Sequence, residues 1–402
     1  MYRPKEVYIK ILEMRIMESD IHNIKTKFLE TFNGKPKLFR SPGRVNLIGE
    51  HTDYNEGFVL PAAIDKCINF AISENGTGRC RIISADMNDG HEFEVKSFSR
   101  SEKSWANYLM GVVDQFNKEG VHIGGFDCVF GGNIPIGSGL SSSAALEAGL
   151  AFALNEIFNL KVDKLKLVKM AQRAENEFVG VRCGIMDQFI NIFGEESKAL
   201  KIDCRSLEFD YFPFEYKDVK IVLSDSKVHH SLASSEYNVR RHQCEEGVKI
   251  LKSLDPEIKS LRDVSMELLH DNKDKFDHVV YKRCEYVVEE NRRLLDACIC
   301  LQNHDLKAFG EKMYQSHIGL RDKYEVSCAE LDALVEIAEN VDGVIGSRMM
   351  GGGFGGCTIN LVLESAIDSF RNEVSKNYES TFGKKPEFYI TQIVGGTNLI
   401  TV

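Results

Sequence analysis

The segment Gly137-Ser138-Gly139-Leu140-Ser141-Ser142-Ser143-Ala144-Ala145 follows Asn133-Ile134-Pro135 and runs into an apolar stretch. Glycines and small hydroxyl residues let a backbone wrap closely around an anion, and the free N–H groups of a helix's first turn face whatever lies there. The pattern reads as a phosphate cradle, with one serine hydroxyl available to Mg²⁺ as in P-loops. The plainer alternative is a glycine turn with a serine N-cap, for which one serine suffices. The P-loop spacing G-x-x-x-x-G-K-[ST] is absent.

Two further groups stand out. SPGRVNLIGEHTDYN (41–55) delivers Arg44, Glu50, His51 and Asp53 close together where a plain strand would alternate. Packed polar groups of this kind hold polyhydroxylated ligands: carboxylates accept from hydroxyls and arginine counters negative charge. Taken singly, each would be a surface ion pair of little worth. Gly351-Gly352-Gly353-Phe354-Gly355-Gly356 formally contains G-x-G-x-x-G, but a dinucleotide fingerprint follows a strand and opens a helix. Here SRMM precedes and the strand pattern CTINLVL follows, which disfavours a nicotinamide-dependent oxidoreductase. The run reads as a flexible turn at a strand start, or as a second wall of backbone closing on a nucleotide.

The elements that must carry these groups follow from periodicity. Residues 3 to about 32 have helical spacing. From 38 to about 98 come short β-rich runs (VNLIG, FVLPAAI, INFAIS, RIISA, EFEVKSF), then a helix near 104–118 and a strand near 125–130. Residues 141–158 are apolar on almost every face and read as a buried helix. Strand alternation returns at 199–223, and 231 to about 340 is almost all helical pattern. A strand at 357–363, a helix near 365–381 and strands at 387–394 and 397–402 close the chain. No 20- to 50-residue period repeats, and the mixture predicts two α+β domains, 1–212 and 213–402.

Composition narrows the function. In 402 residues, 43% hydrophobic and 27% charged, 50 Lys+Arg face 60 Asp+Glu for a net charge of −10, which disfavours nucleic-acid binding by bulk charge. No stretch has the length of a membrane span, and the N-terminus lacks a signal peptide's apolar region. Eleven cysteines without a C-x-x-C pair argue against a disulfide framework or zinc knuckle and for a cytoplasmic location.

The three motifs, in this order, resemble those of the GHMP small-molecule kinases, and the first resembles that family's galactokinase signature. RCGIMDQF (182–189) is similar to its catalytic aspartate region and SEYNVRRHQCEE (235–246) to its sugar-domain helix, so the resemblance spans residues 40–360. It implies a two-domain α+β architecture with the active site in the interdomain cleft. It also implies transfer of the γ-phosphoryl of ATP to the anomeric hydroxyl of α-D-galactose. Asp187 is then the catalytic carboxylate, with Arg44 beside it stabilising charge. Glu50, His51, Asp53, the backbone at Gly184 and Tyr237 resemble the galactose-binding set. Gly137, Ser138, Gly139, Leu140, Ser141, Ser142 and Ser143 form the nucleotide loop, and Ser142 and Glu175 resemble the Mg²⁺ ligands. Without the resemblance, Asp187 reads as a helix-start aspartate and Glu175 as a solvated helix face. The implied partners are galactose and Mg-ATP, with no nucleic acid, membrane or obligate protein partner. The rivals are a kinase of N-acetylgalactosamine or another sugar, and a galactose/ATP sensor without turnover.

Overall fold

A computed structural model describes residues 20–135, 137–228 and 233–401. The helix expected over 3–32 lies largely outside the described residues; its described part, α1 (20–31), buries Ile21, Ile24 and Phe28. β1 (Lys37–Asn46), β2 (Phe58–Val59), β3 (Pro61–Glu74), β4 (Arg79–Ser84) and β5 (Asp89–Glu94) follow, then α2 (Ser104–Lys118) and β6 (Phe126–Gly132). Next come α3 (Ser142–Ile157), α4 (Lys164–Arg173), α5 (Met186–Phe193), β7 (Lys198–Asp203), β8 (Phe209–Pro213) and β9 (Val219–Asp225). A helical stretch holds α6 (Ala233–Leu254), α7 (Met266–Asp271), α8 (His278–Gln302), α9 (Leu306–Gly319) and α10 (Ala329–Glu339). The chain ends with β10 (Val344–Met349), β11 (Cys357–Leu363), α11 (Ile367–Phe382), β12 (Glu387–Thr391) and β13 (Asn398–Ile400).

The strands form a six-stranded sheet in the order β13-β1-β3-β6-β4-β5, a four-stranded sheet β10-β11-β9-β12 and a three-stranded sheet β2-β7-β8. β3 is buried along nearly its whole length because the first sheet is covered on both faces. Ile24 and Phe28 of α1 pack with Leu38, Ala71 and Val129 on one face. Phe39, Phe70 and Ile72 join Ala145, Leu150 and Leu154 of α3 on the other.

The predicted buried helix is α3, and its many alanines have a steric reason. A Cβ added at Gly149 would lie 2.5 Å from the Phe70 ring and 2.8 Å from Ser41 Cβ. The small residues therefore seat the middle of α3 hard against β1 and β3, and Gly149→Val would force the helix away from the sheet. Sheet membership changes between β8 and β9, across 214–218, and β13 returns to pair with β1. The two units share one core, in which Val45 and Leu47 cluster with Leu223, Met350 and Leu361.

Some expected strands differ. β1 stops at Asn46, so LIG is not strand but the start of a loop ending in a 3₁₀ turn, Asp53–Asn55. β10 has no strand pattern in the sequence, and it means that the glycine run does follow a strand. The run then enters β11, antiparallel to β10, so the βαβ context of a dinucleotide fingerprint is absent for a different reason than SRMM suggested.

Candidate active site

Arg44 owes its position to an irregularity in β1. The β1–β3 register shifts between Pro42 and Gly43, and a bulge of this kind re-aims the side chains that follow. Proline tolerates the broken ladder, and the absent side chain of Gly43 admits the backbone of Leu140, whose oxygen would lie 3.0 Å from an added Cβ. Arg44 then reaches Asp187 in a bidentate pair, Nε to Oδ1 at 2.7 Å and Nη2 to Oδ2 at 2.8 Å. Its Nη1 donates to the Gly139 carbonyl at 2.5 Å, tying the pair to the serine loop. Burial disfavours the Arg44 charge, but the adjacent Asp187 carboxylate outweighs it and the guanidinium pKa rises.

Asp187 lies in the first turn of α5. Its carboxylate is not spent on capping that helix: besides Arg44, it accepts a short hydrogen bond from the Ser141 hydroxyl. Ser141 is at the N-cap of α3 in the left-handed conformation, φ 58° and ψ 52°, and makes no side-chain cap. The N-terminal N–H groups of α3 are thus left without a serine cap, and the plainer reading of the serine run fails at this residue. The glycine run lies opposite. An added Cβ at Gly351 would be 3.5 Å from the Gly139 oxygen, and one at Gly356 would be 3.5 Å from the Ser138 oxygen. Two backbone walls therefore face each other across residues 137–140 and 351–356.

On the other side of Asp187 lie the polar residues of the first motif. The Glu50 carboxylate accepts from the backbone N–H of Gly351 at 2.9 Å and from Arg348 Nη2 at 3.1 Å, both on Oε1. His51 is buried, with Nδ1 2.7 Å from the Tyr54 hydroxyl, and burial lowers its pKa to about 4. The ring of Tyr237 lies 5.4 Å from His51 and 5.0 Å from Tyr54. Gly184 leaves room for Asp53, whose Oδ2 would be 1.8 Å from a Cβ placed there. Burial, and then the charge of Asp187, push Asp53 up to about 7. Asp53 and Gly184 also line a cavity of about 390 Å³ shared with Lys169, Arg173 and Arg241.

Glu175 sits in a π-helical turn, Ala174–Val179, that continues α4. It is buried rather than solvated and accepts from Gln188 Nε2 at 2.8 Å and from the Ser143 hydroxyl. Glu147 of α3 is fully buried next to it; its Oε2 accepts from the same Gln188 amide at 3.3 Å, and its Oε1 has no partner. Burial raises the pKa of both carboxyls, and the Asp187 charge adds to the rise at Glu175 as the Glu175 charge does at Glu147.

Three family models match the chain: the GHMP kinases N-terminal domain over 107–195, the galactokinase galactose-binding signature over 26–74 and the GHMP kinases C-terminal domain over 295–380. A galactokinase of Clostridium acetobutylicum is 42% identical over 386 residues, which is 94% of this chain and 99% of the relative. The chain belongs to the galactokinases of the GHMP kinase family. Another galactokinase, from Thermotoga maritima, is 42% identical over 344 residues, 86% of this chain and 94% of that one. The solved structure of Lactococcus lactis galactokinase complexed with galactose superposes with a TM-score of 0.91 at 37% identity, over 94% of this chain and 99% of that one. Methanococcus jannaschii mevalonate kinase shares the fold, with a TM-score of 0.63 at 19% identity over 90% of this chain and 100% of that one.

In this galactokinase-family chain the predicted residues largely converge. Arg44, Asp187 and the 137–143 loop are directly bonded to one another, and Glu50, His51, Asp53, Gly184 and Tyr237 pack beside them. For a divalent cation the donors are hard oxygens: Glu175, Glu147 with its unpartnered oxygen, and the serines opening α3. These suit Mg²⁺, which takes few protein ligands. It is the Ser143 hydroxyl that reaches Glu175. Among the described residues no group of three or more His, Cys, Asp or Glu side chains is arranged to hold a metal. Sequence reading missed Glu147, Gln188, Tyr54, Tyr324 and Arg348. The only signal for Glu147 is an acid in the middle of the alanine-rich stretch of α3.

Proposed function

We propose that this chain transfers the γ-phosphoryl group of ATP to the anomeric hydroxyl of α-D-galactose, giving α-D-galactose 1-phosphate and ADP. The observation that carries this reading is the Asp187 carboxylate, gripped by Arg44 and Ser141 at the junction of the serine loop and the polar residues of the first motif. The N–H groups of the 137–143 loop and of the first turn of α3 receive the phosphates, with the 351–356 backbone as the opposite wall. Asp187 orients the acceptor hydroxyl and takes its proton, and Arg44 neutralises charge on the transferring group. Phosphoryl transfer has a largely dissociative transition state, so positioning supplies most of the acceleration.

Ser142 and Glu175 would hold Mg²⁺, with Ser143 and Glu147 supporting them. When bound, the cation neutralises charge on the phosphate oxygens. Glu50, His51, Asp53, the Gly184 backbone and Tyr237 surround the sugar. Asp53, raised to about 7, both donates and accepts near neutrality, which suits a hydroxyl partner. Buried groups made to pair with hydroxyls reject epimers strongly, because a misplaced hydroxyl leaves one of them unpaired. The cleft in this reading separates units 1–212 and 213–402, with β13 returning to the first. A cytoplasmic location is supported by eleven free cysteines, and no described helix is long and apolar enough to cross a membrane.

The test is ADP release with Mg-ATP across galactose, N-acetylgalactosamine, glucose, arabinose and mevalonate. Galactose should exceed all the others. Preference for N-acetylgalactosamine would reassign the substrate, and tight galactose binding without turnover would make the chain a sensor.

A further inference from the structure

A chain of hydrogen bonds starts at the His51 ring. His51 Nδ1 is 2.7 Å from the Tyr54 hydroxyl, that hydroxyl is 2.7 Å from the Tyr324 hydroxyl, and Tyr324 is 3.3 Å from Cys244 Sγ. The far end is firmly held. Tyr324 closes a π-helical turn, Leu320–Tyr324, at the end of α9, and π turns recur at functional sites. Arg240 Nε donates to the Tyr324 carbonyl at 2.8 Å, and the Tyr286 ring packs 4.7 Å away.

Each hydroxyl carries one proton, so the chain must run in a single direction. Burial pushes the Cys244 thiol up to about 11, so it stays protonated and has a proton to offer. Its sulfur is also hydrogen-bonded by the Asn55 side chain, whose Nδ2 donates to the His51 carbonyl at 2.9 Å. Run from Cys244 to Tyr324, to Tyr54, to Nδ1, the chain ends on its strongest acceptor, the imidazole nitrogen, instead of on a thiol sulfur, which accepts only weakly. The buried imidazole, beside the Gly352 backbone, is neutral, and in this direction its one proton falls to Nε2, a buried nitrogen with no hydrogen-bond partner.

We propose that Tyr54, Tyr324 and Cys244 are positioning residues that lock His51 in the Nε2–H tautomer, so that it meets the sugar as a hydrogen-bond donor. The inference rests on the proposal that His51 binds galactose. It makes the sugar contact depend on a hydroxyl supplied by the end of α9, in the second half of the chain.

The experiment pairs ¹⁵N-histidine NMR with kinetics. The His51 resonances are identified by their loss in His51→Gln. The expected wild-type spectrum has a bare Nδ1 and a protonated Nε2, and Tyr54→Phe should give a mixture of tautomers. Tyr324→Phe should raise the KM for galactose about threefold to tenfold, the range for one lost hydrogen bond, with kcat and the KM for ATP within about twofold of wild type. Cys244→Ser keeps a donor and should behave as wild type, whereas Cys244→Val should follow Tyr324→Phe. A protonated Nδ1 in the wild type overturns the proposal, as does an unchanged tautomer in Tyr54→Phe or an unchanged galactose KM in Tyr324→Phe. The wild-type spectrum decides even if a variant folds poorly. Absence of galactose turnover by the wild type would sink the functional reading while leaving the tautomer result standing, so the two failures are distinguishable.

Discussion

Asp53 and Asp187 are neighbouring carboxylates with different partners. Asp187 has a bidentate arginine, whereas Asp53 is buried against Gly184 and is pushed up to about 7 by burial and by Asp187. Its folded value lies above the ordinary 3.8, so the folded state binds the extra proton between about pH 4 and 7. Stability from this group is complete below about pH 4 and is lost as pH rises through about 7. Asp53→Asn, always neutral, should therefore gain Tm relative to wild type as pH climbs from 4 to 7, with the gain levelling off above 8. A pH-independent Tm difference in sugar-free protein would refute that account. At this scale the sequence was informative wherever chemistry-bearing residues cluster along the chain, as in Arg44 to Asp53 or Gly137 to Ser143. It was silent on partners that only folding supplies. No local pattern sends the Ser141 hydroxyl to Asp187 46 residues away, and none says that Glu175 is buried against Glu147.

Among the elements, the loop 181–185 between the π turn and α5 holds Gly184 close against the Asp53 carboxylate. Gly184→Ala places a methyl 1.8 Å from Asp53 Oδ2, so the carboxylate must swing away. The galactose KM should rise at least about tenfold with kcat for bound sugar far less affected, as expected when ground-state and transition-state binding are lost together. Equal KM for variant and wild type would show that Asp53 does not touch the sugar. Periodicity located α2, α3, β11 and α11 to within a residue or two, because each has a clean apolar pattern. It missed β10, where three of the four buried positions of VIGSRM are Gly346, Ser347 and Arg348 and only Met349 is apolar. The two π turns were equally hidden, since one extra residue in a helix leaves no compositional mark, yet they carry Glu175 and Tyr324.

Across the whole molecule, Arg348 fastens the second sheet to the first motif. Fully buried on β10, it donates to the carbonyls of Leu47, at 2.9 Å, and of Asn46, and to the Glu50 carboxylate. The same Glu50 oxygen accepts the Gly351 N–H, so the first motif and the glycine run meet at one carboxylate. Arg348→Met would leave a buried carboxylate and two carbonyls without their partner, at a cost of about 3–5 kcal/mol in urea unfolding. Arg348→Lys, which keeps the charge but not the planar fork, should fall between. A loss below about 1 kcal/mol for Arg348→Met would show that the two halves are held together by their shared apolar core instead. The sequence divided the chain near residue 212 from a change in pattern. It had no means of showing that β13 returns to β1 or that one core spans both units, because strand pairing across more than 350 residues has no local signature.

The central claim is that Asp187 serves phosphoryl transfer and not merely the fold. It is tested most directly by measuring galactose-dependent ADP release and calorimetric galactose binding for Asp187→Ala beside wild type. Turnover should fall by about 10²–10⁴-fold or more, the usual worth of a positioned acid–base group, with galactose affinity still measurable. Turnover close to wild type in a folded preparation would contradict it.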